Sequence, residues 1–305
     1  MPRKLLRYSP LFIILFLVAL PGLADTGPWV QPDMRQADAA LEYLAEHQPP
    51  AERFTFCAIA DTQTLKPAVP KEITRRIVGE MELLDPNFVI ASGDQIRGYT
   101  GDEALIDQMW DAHLELTNAL PMPWVPVPGN HDIWDPASRQ IYQERIGPTT
   151  FSFDYGNAHF IALDTEEPEH MATLSPDQIS WLEEDLRTHG DAEHIFMFMH
   201  KPIWVPRYQS NFNEKILPLV KTYPVRAIFA GHEHLYRVDS IKGVNCKFFV
   251  IGGGGGDLLV GPGLGGFHHF LHVSVDGDQI TYAVIKPGNI EPISVMEGMQ
   301  LKVGE

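Results

Sequence analysis

From Arg53 onward, apolar runs of strand length alternate with amphipathic segments of helical length, and this alternation restricts the possible folds more than any other feature of the chain. "RFTFCAIAD" leads into "KEITRRIVGEMELL", "NFVIASGD" into "EALIDQMWDAHLELTNAL", and "WVPVPGNHD" closes the series. Strands alternating with helices imply parallel βαβ units and an α/β fold. Further on, "FSFDYGNAHFIALDTEE" reads as a hairpin turning at Gly156-Asn157. The helix expected at "SPDQISWLEEDLRTHG" has Ser175 at N-cap, Pro176 at N1 and Gln178 in the capping-box position. Two more buried strands follow in "HIFMFMH" and "VRAIFAGHEH", with a helical segment between them. The C-terminal runs "CKFFVIGGGGG", "HHFLHVSVDGDQI" and "TYAVIK" have strand spacing with a turn at Asp276-Gly277, so a second sheet is expected there rather than more βαβ units. The pattern predicts one domain over residues 51–305, with two sheets packed together and helices outside. A lead segment, 25–50, precedes it and contains a helix in "DMRQADAALEYLAEH".

The first 24 residues carry Arg3, Lys4 and Arg7 ahead of an apolar run from Leu11 to Leu20, then Gly22-Leu23-Ala24. This is the layout of a secretory signal peptide, which predicts an exported protein, periplasmic or extracellular, with no stable membrane association after cleavage. An uncleaved anchor is the other reading, although the run is shorter than the ~20 residues a spanning helix needs. The net charge of −17 becomes −20 without residues 1–24, because three basic side chains leave and no acidic one does. A surface this acidic excludes nucleic acid and anionic lipid as general partners, so a phosphorylated substrate has to be drawn in by local positive charge such as bound metal. Two cysteines, Cys57 and Cys246, are too few for a disulfide framework. Both lie in strand-like runs and are open to either free burial or one bridge.

Five apolar runs each end in a potential ligand: Asp61, Asp94, Asn130 with His131, His200, and His232 with His234. In open α/β sheets the carboxyl ends of parallel strands line one crevice, so these ends should converge although they span more than half the chain. A lone histidine at a strand end, or "GD" alone, is an ordinary loop feature. Their joint occurrence is what points to a metal site.

"GD" at 93–94, "GNHD" at 129–132, a histidine closing a strand at 200 and "GHEH" at 231–234 resemble the signature of the calcineurin-like metallophosphoesterase superfamily. The likeness runs from about Asp61 to His234. It implies a four-layer α/β/β/α sandwich with two mixed sheets and the active site at strand carboxyl ends. It also implies two divalent metal ions: Asp61, Gln63, Asp94 and His234 would hold one, and Asp94, Asn130, His200 and His232 the other. His131 would face the substrate phosphate with Asp132 beside it to orient the imidazole. Hydrolysis of a phosphomonoester or phosphodiester would then use a hydroxide activated by both metals, with His131 as general acid or as an electrostatic donor. A small phosphorylated compound is the expected substrate.

This chain departs from the family at Gln63, where Asp-x-His is the ordinary first motif. The amide leaves the ligand charge unchanged but replaces an imidazole nitrogen by a harder oxygen, which favours manganese or iron while zinc remains possible. Water in place of Gln63 is the other reading. The tyrosine that purple acid phosphatases carry three residues after the second-motif aspartate is Arg97 here, and "GDQIRG" lacks the second aspartate of the protein serine/threonine phosphatases. Arg97 and Arg207 are candidate substrate contacts, since arginine forks suit phosphate. Trp134 and Tyr236 could flank the cleft, though packing is the commoner role. His268, His269 and His272 lack an adjacent acidic partner and read as structural. The run Gly252 to Gly256 either brings backbone close to the crevice or forms a flexible loop, and no lysine closes it as a P-loop requires. Asp164 could support the site or cap a turn. The other class left open is a non-catalytic exported ligand-binding domain that keeps the fold, but such a chain should have lost ligands and His131.

Overall fold

The computed structural model describes residues 26–31, 33–63, 69–167 and 172–291, and the signal peptide read in residues 1–24 lies outside them. In chain order the elements are α1 (Gln36–Glu46), β1 (Arg53–Ile59), α2 (Glu72–Leu84), β2 (Phe88–Ser92), α3 (Glu103–Thr117), β3 (Trp124–Val127), α4 (Pro136–Arg145), β4 (Phe151–Tyr155), β5 (Ala158–Ala162), α5 (Pro176–His189) and β6 (His194–Phe198). A π-helical turn at Phe212–Ile216 runs into α6 (Leu217–Thr222), followed by β7 (Val225–Ala230), β8 (Tyr236–Asp239), β9 (Lys247–Ile251), β10 (Phe270–Asp276), β11 (Gln279–Lys286) and β12 (Asn289–Glu291).

Two six-stranded mixed sheets result, ordered β12-β11-β10-β1-β2-β3 and β4-β5-β6-β7-β9-β8. Within the first, β1, β2 and β3 are parallel, and within the second β5, β6, β7 and β9 are parallel. The C-terminal strands do not build a second sheet of their own. Instead β9 extends the parallel run beside β7, while β10 returns to pair antiparallel with β1 across the sandwich. The turn at Asp276-Gly277 stands as expected, with Asp276 opposite Gln279.

Strand periodicity explains the layering. Successive side chains point to opposite faces, so in β6 Phe196 and Phe198 enter the core between the sheets while Ile195 and Met197 pack outward against α5 and α6. Phe56 from β1 meets Phe160, Phe196, Phe198 and Phe229 edge-on, with centroids 5.3–6.2 Å apart, the geometry aromatic quadrupoles prefer. Trp29, Ala40 and Leu44 of the lead segment enter the same core, so α1 closes one flank of the sandwich against β3 and β4. A separate cluster around Ile96, Trp110, Ile133 and Tyr142 holds α3 and α4 beside the strand ends.

One local expectation fails. Ser175 caps α5 by accepting from Gln178 N at 3.2 Å, but the Gln178 side chain does not complete a capping box. It bonds both backbone groups of Asp164, at 2.8 and 2.9 Å, and so ties α5 to the end of β5. Cys57 in β1 and Cys246, the residue before β9, lie buried and unbridged, and burial pushes both thiols up. Among the described residues, no helix is long and apolar enough to cross a membrane.

Candidate metal centre

The carboxyl ends of β1, β2 and β3 in one sheet and of β6 and β7 in the other come together at one edge. Backbone bonds lock neighbouring ends: Asp61 N donates to Gly93 O at 3.0 Å, Gln63 N to Asp94 O at 2.9 Å, and Gly231 N to His200 O at 2.9 Å. Bonds between the sheets complete the frame, with His200 Nδ1 donating to Ser92 O at 2.9 Å and His232 N to the Asp61 carboxylate at 2.9 Å.

At this edge two sets of ligand atoms lie within 4.8 Å of one another, Asp61, Asp94 and His234 in one, Asp94, His200 and His232 in the other. Asp94 belongs to both, which is the division that the family resemblance implies. Asn130 joins the second set, because its Oδ1 lies 3.1 Å from His200 Nε2 and 2.7 Å from His232 Nδ1. Gln63 joins the first. Hydrogen bonding sets its amide with the nitrogen donating to the carbonyls of Asp61 at 3.1 Å and Asp94 at 3.2 Å, and this turns the oxygen inward, 3.3 Å from His234 Nε2.

The imidazoles are prepared for a cation. His200 gives its Nδ1 proton to Ser92 O, and His234 gives its own to the carbonyl of Asp257 at 2.7 Å, so in each ring Nε2 is the atom turned toward the carboxylates, where a proton or a cation can sit. These are the outer bonds that fix tautomer and ring angle in metal-ligating histidines. The opposing Nε2 faces Asp94 Oδ2 at 3.2 Å for His200 and Asp61 Oδ1 at 3.2 Å for His234. Burial pushes His200 down, but Asp94 and then Asp61 outweigh it and bring it up to about 10. Burial likewise opposes His234, and Asp61 carries it up to about 9. His232, buried beside His200, is driven down to about 3. Burial raises Asp61 against the pull of His234, whereas for Asp94 burial is outweighed by His200 and His131, which hold it well below the carboxylate range. The field that favours protons on His200 and His234 favours a divalent ion equally, and seven N and O donors with two carboxylate charges fit two such ions.

His131 stands beside this set without belonging to it. Its backbone N donates to Asp94 Oδ1 at 2.8 Å, and its Nε2 lies 3.9 Å from Asp94 Oδ2. The imidazole is oriented by the backbone carbonyl of Arg97, bonded to Nδ1. Asp132 does not orient it, contrary to the expectation from chain adjacency. That carboxylate is wholly buried and accepts four backbone N–H bonds, from Asp94 and Gly129 at Oδ2 and from Gln95 and Ile96 at Oδ1, at 2.9–3.1 Å. Burial and the neighbouring Asp94 push Asp132 upward while the amides pull it back.

The two arginines differ. Arg97 is exposed at the mouth, and among the described residues no hydrogen bond or ion pair engages its guanidinium. Arg207 is tied to Glu233 at 2.5 Å and lies over the Tyr208 ring. Tyr236 is fully buried and packs on Phe267 and His269, and His269 is buried. The glycine run forms a tight floor: Gly254 N bonds Ala60 O at 2.9 Å, Gly256 N bonds Asp61 O at 2.7 Å, and a Cβ at Gly256 would fall 2.7 Å from the His234 ring. Asp164 pairs with Arg139 at 2.6 Å and accepts from Glu166 N, and Glu166 in turn pairs with Lys201 next to His200. Tyr99 is a site residue that the strand-end pattern misses, since it follows its strand by seven positions. Its hydroxyl accepts from Asn130 Nδ2 at 3.0 Å.

Known proteins share sequence and fold with this chain. The chain is 24% identical over 254 residues to human tartrate-resistant acid phosphatase type 5, covering 70% of this chain and 76% of that protein. Among solved structures it resembles a purple acid phosphatase from yellow lupin (TM-score 0.63, 16% identity) over 80% of its own length, although it spans only 53% of the lupin chain. It also resembles a dimetal phosphatase from Danio rerio (TM-score 0.62, 16% identity), covering 79% of this chain and 98% of that one. The likeness to the lupin enzyme is one of fold, and Arg97 still occupies the tyrosine position. Residues 54–236, more than half of the chain, match the calcineurin-like phosphoesterase family, and the chain belongs to this family of phosphoric ester hydrolases.

Proposed function

We propose that the protein is an exported two-metal phosphoesterase that hydrolyses small phosphomonoesters or phosphodiesters, with His131 as general acid. The observation that carries this reading is the pair of ligand sets sharing Asp94, with the His131 imidazole held at their edge. Asp61, Gln63 and His234 would hold one ion with Asp94, and Asn130, His200 and His232 the other. Two bound divalent ions supply an activated water and neutralise phosphate oxygens. The chain supplies the rest. With Nδ1–H kept on the Arg97 carbonyl, His131 has Nε2 free to donate a proton to the leaving oxygen and to recover one afterwards, help worth ~10²–10⁴ in rate. Oxygen ligands from Gln63 and Asn130 favour manganese or iron over zinc. The basic and apolar N-terminus supports export, and the acidic surface supports a small substrate over a polyanion.

The test uses purified protein, stripped of metal and reloaded with single metals, assayed on p-nitrophenyl phosphate and on its bis ester. Asp94→Asn should abolish turnover, and His131→Asn should reduce it by ~10²–10⁴ while metal stays bound. Metal-dependent turnover of neither ester, or full activity in Asp94→Asn, would refute the reading. The ratio of the two esters assigns monoesterase or diesterase.

A further inference from the structure

The turn that follows the second strand end is braced at three consecutive residues. The Arg97 carbonyl holds His131 Nδ1. Gly98, at φ +57°, sits so close that a Cβ would lie 1.9 Å from the His131 carbonyl oxygen. Tyr99 is itself left-handed, at φ +54°, a conformation that bulky residues rarely hold, and its hydroxyl is bonded to the amide of Asn130. A turn fixed in this way places the Tyr99 ring deliberately. The ring meets His131 edge to face, centroids 4.8 Å apart at 88°, and lies 5.7 Å from Trp134 at 31°. It nevertheless remains 57% exposed at the mouth of the metal centre.

We propose that Tyr99, backed by Trp134, is the specificity-determining platform for the leaving group, and that the enzyme prefers phosphoesters whose leaving group is aromatic or otherwise planar. The inference rests on the phosphoesterase reading, with His131 donating to the leaving oxygen. Because Nδ1 is occupied by the Arg97 carbonyl, that oxygen has to approach Nε2 within ~2.6–3.2 Å. A substituent on it then lies beside a ring only 4.8 Å from the imidazole. A flat aromatic group there can stack on the Tyr99 face, whereas a sugar or short alkyl chain gains little. On the other side of the centre, Asp257 pairs with Lys71 at 2.7 Å, and its carbonyl is the one that holds His234.

The test compares phenyl phosphate with hexafluoroisopropyl phosphate, esters whose leaving groups are of similar acidity, in the metal-loaded wild type, Tyr99→Leu and Tyr99→Phe. The wild type should favour the phenyl ester in kcat/KM, and Tyr99→Leu should erase about 3–10-fold of that preference, the range of one aromatic stacking contact. Tyr99→Phe keeps the ring and should keep the preference, because loss of the Asn130 bond falls on both esters alike. Equal losses on both esters in Tyr99→Leu, or no wild-type preference, would overturn the inference. Binding of phenylphosphonate and methylphosphonate, followed by tryptophan fluorescence, reads the platform without turnover. If neither ester is hydrolysed, the phosphoesterase reading fails, and the phosphonates still decide: tighter phenylphosphonate binding that Tyr99→Leu abolishes supports the platform, and indifference to the ring refutes it.

Discussion

Replacing Asp132 by asparagine separates two roles for the residue after His131. The carboxylate accepts two N–H bonds on each oxygen, so an amide keeps one pair and turns an NH₂ group toward the other two donors. Hydrogen bonds to a charged group contribute ~1.5–3 kcal/mol each, which puts the loss of two at ~3–6 kcal/mol. Removing the charge recovers part of the burial cost that raises Asp132, so the lower end, about 3 kcal/mol, is expected. That is a large fraction of the ~5–15 kcal/mol that stabilises a typical domain. Urea unfolding of metal-free Asp132→Asn should show an unfolding free energy lower by that amount, with turnover largely retained below the transition when metals are saturating. Wild-type stability combined with lost turnover would mean that Asp132 acts on His131 after all, and the four-amide account would be wrong.

Gln63→Ala should weaken the first metal by about 10–100-fold in titration calorimetry, the range seen even for outer-shell partners, and Gln63→His should shift preference from manganese toward zinc. Unchanged metal dependence in both variants would show that the inward amide oxygen does not ligate. Gly231→Ala puts a Cβ 2.4 Å from Asp61 Oδ2 and 2.5 Å from the Ala60 Cβ, so it should cost ~1–3 kcal/mol and weaken metal binding, read as a smaller rise in Tm on adding manganese. A wild-type rise would show that Asp61 has room to move. Away from the centre, His159 is bonded by Asp154 at Nδ1 (2.6 Å) and Asp185 at Nε2 (2.8 Å) and stacks on His189. Burial opposes its charge, but the two carboxylates win and raise its pKa above 6.5. A raised folded pKa means that this stabilisation is complete below the unfolded value and fades as pH rises through the folded one. In metal-loaded protein, His159→Gln should therefore cost most stability below about pH 6.5 and progressively less above it. A constant difference in Tm between pH 6 and 9 would count against the clamp.

The parallel strands and their closing ligands were legible because each has a strong local signature: an apolar run that ends in Asp, Asn or His, directly at Asp61 and His200 and after a glycine at Asp94, Asn130 and His232. The path of the C-terminal strands was not, since "HHFLHVSVDGDQI" has the same period whichever sheet it joins. What decides is β1, whose free edge accepts β10 over six paired residues. The helix α4 is not legible from apolar spacing either, although Asp135, Pro136 and Ser138 carry its N-terminal signals, because Gln140, Glu144 and Arg145 make it too polar to show a periodic apolar face. The orienter of His131 could not have been read from side-chain types at all, since it is a backbone carbonyl. Gln178 carried a true signal in the wrong place: its amide satisfies a strand end rather than its own helix start.

The centre itself shows why ligand identity is only half of what a chain must encode. Asp61, Asp94 and His232 all hold left-handed backbones, with φ of 60°, 57° and 67°. Each costs ~1–3 kcal/mol, and three together approach the net stability of a small domain. Such conformations persist only where the surroundings over-determine them, and the glycines beside the ligands supply those surroundings. Gly93 lets His200 pass where a Cβ would lie 2.4 Å from Nδ1, Gly129 admits the Asp94 carboxylate at the same distance, and Gly231 does so for Asp61. Glycine thus follows from the close approach of five strand ends, and the left-handed turn follows from the need to aim each ligand back over its own strand. Gln63 fits this account. Its chain bonds to the Asp94 carbonyl through N and its side-chain nitrogen is spent on two carbonyls, so only the amide oxygen can face the metals. An imidazole at 63 would bring one ring nitrogen to the same carbonyls and leave the other for the metal. The two side chains are therefore alternative solutions to one backbone geometry, differing in the hardness of the atom they present.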